Sequence, residues 1–219
     1  MLTVHHLTVG AVRENTYAVV DEQKNALIID PGAQAKRLIH WIETNEWRPQ
    51  AILLTHAHYD HIGAVDAVRE RFGVEVYAHP IEAEIMTKPE LNLSSYTPER
   101  LEVAMAEHQF QEMGEQQVGD FHFRVVFVPG HSPGHVAYIF DEDQFVINGD
   151  TIMEGTIGRT DLYKGSYVQL MQSIGRELVP LPAEYRLYPG HGNDFTIGEA
   201  IATNPYFEVF RQMIKHRLD

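Results

Sequence analysis

The sequence predicts a layered α/β protein with sheet inside and helices outside. Short apolar runs alternate with segments of helical spacing in both halves of the 219-residue chain. Several of the apolar runs stop at Gly, Pro or Asp. Histidines and aspartates stand just past those stops, where α/β folds collect ligands and chemistry.

Residues 3–9 and 16–20 read as strands, and ALIID at 26–30 as a short apolar strand stopped by Pro31-Gly32. In residues 33–44, Ala35, Leu38, Ile39 and Ile42 fall at helical spacing. Residues 51–54 form a buried strand, 63–72 a helix through Val65, Val68 and Phe72, and 74–78 another strand. Residues 81–118, rich in Glu, Gln and Met, predict an irregular, partly helical excursion within one domain spanning 1–219. Strands follow at 121–128, 136–140 and 144–147, the last two joined by a turn at Asp141-Glu142-Asp143. Residues 167–179 predict a helix, 185–188 a short strand, and the last twenty or so residues a helix.

Composition narrows the function. At 44% hydrophobic residues the chain can bury a core. No apolar run approaches the roughly 20 residues that span a bilayer, so no membrane partner is expected. The start, MLTVHHLTVGAVREN, lacks a basic head with a long apolar segment and reads as a strand, not a signal peptide. With no cysteine, disulfides are excluded and any metal site must use His and carboxylate, in keeping with a cytoplasmic protein. A net charge of -14 repels phosphate backbones, so no nucleic-acid partner is expected. The sequence leaves the oligomeric state open.

The chemistry concentrates in ILLTHAHYDHIGA, residues 52–64. An apolar strand runs directly into His56, His58, Asp60 and His61. His56 and His58, two apart, can turn to one side around one ion, while Asp60 and His61 point elsewhere, toward a second. Imidazole and carboxylate suit zinc, iron and manganese. Further strand ends offer His131 and His135 in VPGHSPGH, Asp150 in FVINGDT and His191 in YPGHGND. One such residue alone would be an ordinary turn residue; four ligand-bearing strand ends in one chain point to a metal centre.

HAHYDH, PGHSPGH, NGDT and PGHG, in that order, resemble the metallo-β-lactamase superfamily over nearly the whole chain. The resemblance implies an αββα sandwich with a two-metal site at one edge. It places His56, His58 and His131 on the first ion, Asp60, His61 and His191 on the second, and Asp150 between them. Two divalent ions are implied, zinc first, with iron or manganese also accommodated. Such a pair lowers the pKa of a shared water and generates a hydroxide nucleophile. Asp60 would take the proton as well as bind metal. Asp30, in IIDPG, stands where the superfamily often orients a ligand histidine, and His135 resembles a residue close to the site.

Within the superfamily, Asp150 departs from the antibiotic-degrading members, which generally have no bridging carboxylate. His58 departs from the H-x-E-x-D-H pattern of flavodiiron reductases. Length and acidity depart from the RNA-processing members. GTIGRTDLYKGS, residues 155–166, resembles short bacterial hydroxyacylglutathione hydrolases (glyoxalase II) and also persulfide dioxygenases. In that segment Arg159 would grip a glutathione carboxylate and Tyr163 and Lys164 would add contacts. The competing role for Arg159 is a pair with Asp161. Arg211, Lys215 and Arg217 would either supplement anion binding or form a solvated helix face. Only 28 residues follow His191, too few for the C-terminal helical domain of the longer glyoxalase II enzymes. The implied reaction is hydrolysis of S-(2-hydroxyacyl)glutathione thioesters such as S-lactoylglutathione to a 2-hydroxy acid and glutathione. The alternative is a mononuclear iron dioxygenase acting on glutathione persulfide through His56, His131 and Asp150.

Overall fold

Strands that alternate between two apolar faces build two stacked six-stranded sheets, each backed by helices. The computed structural model of the chain describes residues 1–218, and of residues 216–218 the backbone alone. The first sheet runs in chain order through β1 (Thr3–Val9), β2 (Glu14–Val20), β3 (Asn25–Ile29), β4 (Arg48–Leu53), β5 (Glu75–Ala78) and β6 (His108–Gln109). Its first two pairings are antiparallel and its last three parallel. The second sheet contains β7 (Gly114–Val118), β8 (Phe121–Phe127), β9 (Val136–Phe140) and β10 (Phe145–Gly149). After a two-strand hairpin, β11 (Ile152–Met153) and β12 (Thr156–Ile157), β13 (Arg186–Pro189) and β14 (Phe195–Thr196) complete it, in the order β14-β13-β10-β9-β8-β7.

Side chains alternate in direction along a strand, so one apolar run can serve two layers. Tyr17, Val19, Leu27, Ile29, Ala51 and Leu53 meet Phe123, Val125, Tyr138, Phe140 and Ile147 between the sheets. The intervening residues Ala18, Val20, Ala26, Ile28 and Ile52 face outward onto Leu38 and Ile42 of α1 (Ala35–Thr44). Val65 and Val68, on the helix Val65–Phe72, join the same layer. Behind the second sheet, Ile139, Val146 and Leu187 pack on Leu170 and Ile174. Each fully buried Ile or Leu contributes roughly 1.5–3 kcal/mol by leaving water, which is why uninterrupted apolar strands are stable only between helices and a second sheet. The result is the expected αββα sandwich.

Several expected elements change in detail. The expected helix at 63–72 starts two residues later, as Val65–Phe72, and a separate short turn of helix, Tyr59–Ile62, precedes it. The helix at 167–179 starts at Tyr167 under a Ser166 cap and passes into a π-helical turn at Ile174–Leu178. The excursion at 81–118 holds more strand than expected, since β6 and β7 both lie in it. β7 is an edge strand whose Glu115 and Gln117 are exposed, so it lacks the apolar pattern that marks a buried strand. The C-terminal helical region is two helices, Ile197–Thr203 and Glu208–Leu218, divided at Asn204-Pro205. Thr196 and Glu199 form a capping box on the first of them. The side chain of Arg217 lies outside the described residues.

Candidate metal centre

The candidate ligands gather because every strand that carries one ends at the same edge of the sandwich. The segment just after β4 delivers His56 and His58, and the short helix Tyr59–Ile62 that follows delivers Asp60 and His61. The β8–β9 loop delivers His131, the end of β10 Asp150, and the end of β13 His191. Val136 N donates to Thr55 O at 2.9 Å and Tyr138 Oη to Leu54 O at 2.5 Å, which pins the two sheets together beside the site.

Two triads result. Ligand atoms of His56, His58 and His131 lie within 4.8 Å of one another, as do those of Asp60, His61 and His191. Asp150 stands between them. Its Oδ2 is 3.5 Å from both His131 Nε2 and His191 Nε2, and its Oδ1 is 3.5 Å from His61 Nε2. These distances are long for hydrogen bonds. They match the roughly 3.4 Å edge between two ligands held about 2.1 Å from one tetrahedral ion. His56 Nε2, His61 Nε2, His131 Nε2 and Asp150 Oδ1 are buried without a hydrogen-bond partner among the described residues. Orphaned lone pairs gathered at the two triads fit cations there and cost stability otherwise.

The opposite ring nitrogens explain why those lone pairs face inward. His61 Nδ1 lies 2.9 Å from Asp30 Oδ2, His131 Nδ1 2.8 Å from the carbonyl of Arg159, and His191 Nδ1 3.2 Å from that of Val12. His56 Nδ1 lies 3.1 Å from Thr55 Oγ1, whose own proton goes to Asp30 Oδ2 at 2.5 Å. A carbonyl or carboxylate only accepts, so each Nδ1 must carry the proton and each Nε2 is left as a donor of electrons. Asp30 therefore reaches both triads, one directly and one through Thr55. His135 is buried, stacks on His56 at 4.7 Å, and through Nε2 accepts from Asp150 N at 3.1 Å.

Electrostatics separate the triads. Burial, aided by neighbouring imidazoles, pushes His56 and His58 well below the usual histidine range, so they stay neutral. Burial opposes the charge on His61 too, but Asp150, Asp60 and Asp30 outweigh it and push His61 well up. Burial likewise raises Asp60, yet His61 and His191 hold it far below the carboxylate range. Positive charge, whether proton or cation, is favoured at this second position. Gly190 makes the close approach possible, since a Cβ there would meet Asp150 Oδ1 at 2.2 Å and His61 Cε1 at 2.6 Å.

A cavity of about 350 Å³ opens over the triads, walled by Val12, Met153, Ile157 and Leu162, with Arg159 also lining it. Arg159 makes a two-pronged pair with Asp161, at 2.7 and 2.8 Å, on an exposed rim. Leu162, not Tyr163, lines this cavity; the Tyr163 ring instead carries Lys164 Nζ at 5.4 Å. Arg211 donates to the carbonyls of Ile201 and Asn204 and pairs with Glu208, which is a helix-tethering role. No sequence motif marks two further buried acids beside the site. Glu14 places Oε1 3.9 Å from His61 Nδ1, and Glu82 lies under the His56 and His131 loops. Only the fold brings them near the ligands.

The metallo-β-lactamase superfamily model matches residues 9–191. Hydroxyacylglutathione hydrolase GloC of Haemophilus influenzae is 34% identical, over 94% of this chain and 98% of its own. The crystal structure of BLEG-1 B3 metallo-beta-lactamase superposes with a TM-score of 0.92 at 39% identity, covering 94% of this chain and 100% of that one. That of TTHA1623 in a di-iron-bound form gives 0.84 at 36% identity, covering 92% and 99%.

Proposed function

The chain belongs to the metallo-β-lactamase superfamily, and from that premise we propose that it is a two-metal hydrolase of S-(2-hydroxyacyl)glutathione thioesters, with S-lactoylglutathione as the first substrate to test. Superfamily membership and the His/Asp clusters indicate a metal-dependent hydrolase using divalent ions. The observation that carries the two-metal reading is Asp150, one carboxylate at 3.5 Å from ring nitrogens of both triads. His56, His58 and His131 would hold one ion, Asp60, His61 and His191 the other, and Asp150 both. Zinc suits these donors first, while the di-iron form of TTHA1623 makes iron a direct competitor. Two divalent ions held there would lower the pKa of a bound water toward neutrality and polarise a carbonyl oxygen.

The chain's own residues do the rest. Asp60 Oδ2 lies 3.2 Å from His191 Nε2, and besides holding the second ion Asp60 would receive the proton released at the centre. Val12, Met153, Ile157 and Leu162 would give the acyl and cysteinyl carbons of the thioester an apolar wall. Arg159 offers the rim cation for a substrate carboxylate. A second cavity of about 350 Å³ shares Val12, Tyr59 and Asp60 with the first, leaving room for the tripeptide beside the reacting centre.

The glutathione thioester is supported by the similarity to GloC. The similarity to BLEG-1 supports a second reading, opening of a β-lactam ring by the same residues. A third, persulfide oxidation at a single iron, uses only part of a ligand set that is complete at both triads. The deciding experiment assays purified protein with S-D-lactoylglutathione, a chromogenic cephalosporin, and glutathione persulfide under oxygen uptake, with metals quantified on the same sample. Thioester turnover with about two metals per chain is the expected result. Cephalosporin turnover without thioester turnover, or oxygen uptake with one iron per chain, overturns it.

A further inference from the structure

Glu82 is fully buried on the short helix Pro80–Ile85, whose side is closed off from solvent by both sheets' loops. A buried carboxylate is costly unless its oxygens are satisfied. Here they are satisfied by a particular set of donors. Oε2 accepts from Ala57 N at 2.8 Å, between His56 and His58. Oε1 accepts from Ser132 Oγ at 2.5 Å and Gly134 N at 2.7 Å, between His131 and His135. Every hydrogen bond the carboxylate makes thus goes to one of the two segments that carry the first triad. Those segments come from different sheets, and their ligand residues are more than 70 positions apart in the chain. The fit is steric as well, since a Cβ on Gly134 would stand 2.9 Å from both Glu82 Cγ and Oε1.

We propose that Glu82 is a positioning residue that ties the His56-Ala57-His58 segment to the His131–His135 loop and so sets the spacing of the first metal triad. The proposal rests on the reading of His56, His58 and His131 as ligands of one ion. The geometry also distinguishes the two triads: none of Glu82's partners lies beside Asp60, His61 or His191. Glu82→Gln keeps the shape but sets an amide N–H₂ against either Ala57 N–H or the Ser132–Gly134 pair, so one segment loses its acceptor.

The test is cobalt(II) and zinc titration of metal-free protein, followed by visible absorption of the cobalt form and by competition with a chelator. Each triad is isolated by removing the other, with His191→Ala leaving the first and His58→Ala the second. Glu82→Gln should weaken binding about 10- to 100-fold in the His191→Ala background and leave it within twofold in the His58→Ala background. Ser132→Ala, which removes one donor of three and spares the backbone, should give about a fivefold loss at the first triad only. It keeps the proposal open to refutation if Glu82→Gln fails to fold. Glu84→Gln, on the exposed side of the same helix, should change neither. Equal weakening at both triads, or none at the first, overturns the proposal while leaving the two-metal reading intact. Failure of the unmodified protein to bind two ions overturns the two-metal reading itself and the proposal with it.

Discussion

Asp30 Oδ2 accepts a hydrogen bond from His61 Nδ1 at 2.9 Å, and Asp30 Oδ1 accepts from Thr55 N at 2.8 Å. Through Thr55 Oγ1 the same carboxylate also fixes the tautomer of His56. Asp30→Ala should therefore weaken metal binding at both triads, by about 10- to 100-fold each. Asp30 has a φ of 50°, which Asn tolerates comparatively well. Asp30→Asn should thus keep the backbone while presenting an amide to the His61 N–H. A variant that retains wild-type affinity by chelator competition contradicts this role.

Asp150→Ala should bring activity down by more than about 100-fold, since it removes a candidate ligand of both ions at once. Stability should change little in metal-free protein. Removing the buried, unsatisfied Asp150 Oδ1 relieves a desolvation cost, while losing its attraction to His61 removes a favourable interaction. Thermal unfolding of the metal-free variant should therefore stay close to that of the metal-free parent. A large drop would mean that the carboxylate is structural.

Metal removal from the unmodified protein should lower its melting temperature. Ligands present at 100–1,000 times their dissociation constant add about 3–4 kcal/mol per site, which in a chain of this length corresponds to a shift on the order of 10 °C. Chelation followed by calorimetry measures it, and re-addition of zinc or iron should restore the original value. An unchanged melting temperature would be incompatible with tight sites at the orphaned nitrogens of His56, His61 and His131.

What is legible in the sequence is what chemistry writes locally. HAHYDH, PGHSPGH, NGDT and PGHG each stand at or just past the end of a strand, and the fold brings their polar residues to one edge. The apolar runs at residues 26–30 and 136–140 likewise mark buried strands by composition and length alone. Glu82 is illegible because a Glu in an acidic, partly helical segment looks solvated, and its three donors come from other segments. β7 is illegible because an edge strand needs no continuous apolar face. For Arg159 the sequence offers two roles, and the geometry contains the ion pair with Asp161 while leaving the guanidinium at the mouth of the cavity.

Arg159→Ala should accordingly raise KM for S-lactoylglutathione by about tenfold, the order expected for loss of one charge-assisted hydrogen bond. It should leave kcat and metal content unchanged. The residue's link to the metal centre is its backbone carbonyl, which accepts from His131 Nδ1 and survives the substitution. Asp161→Ala should lower KM, because it frees the guanidinium. A fall in kcat or in bound metal for Arg159→Ala would show that the side chain acts on the centre.

The pH dependence of stability offers a check on Glu82 that needs no substrate. Burial pushes its carboxyl up from 4.5 to about 7, against the pull of the bonds from Ser132, Ala57 and Gly134. Below pH 4.5 both the folded and the unfolded chain keep the proton, and the stabilising contribution of the neutral form is complete. Between 4.5 and about 7 the unfolded chain releases its proton first, so folding becomes progressively less favourable. By the upper end the contribution is lost, a change of at most roughly 3 kcal/mol for a shift from 4.5 to about 7. Histidines of the unfolded chain titrate near 6.5, within the same range, so the useful quantity is a difference. The unfolding free energy of metal-free parent minus that of metal-free Glu82→Gln, measured in urea at pH 5 and at pH 8, should fall as pH rises. A difference that stays constant would mean that Glu82 is ionised throughout, held as a carboxylate by its three donors.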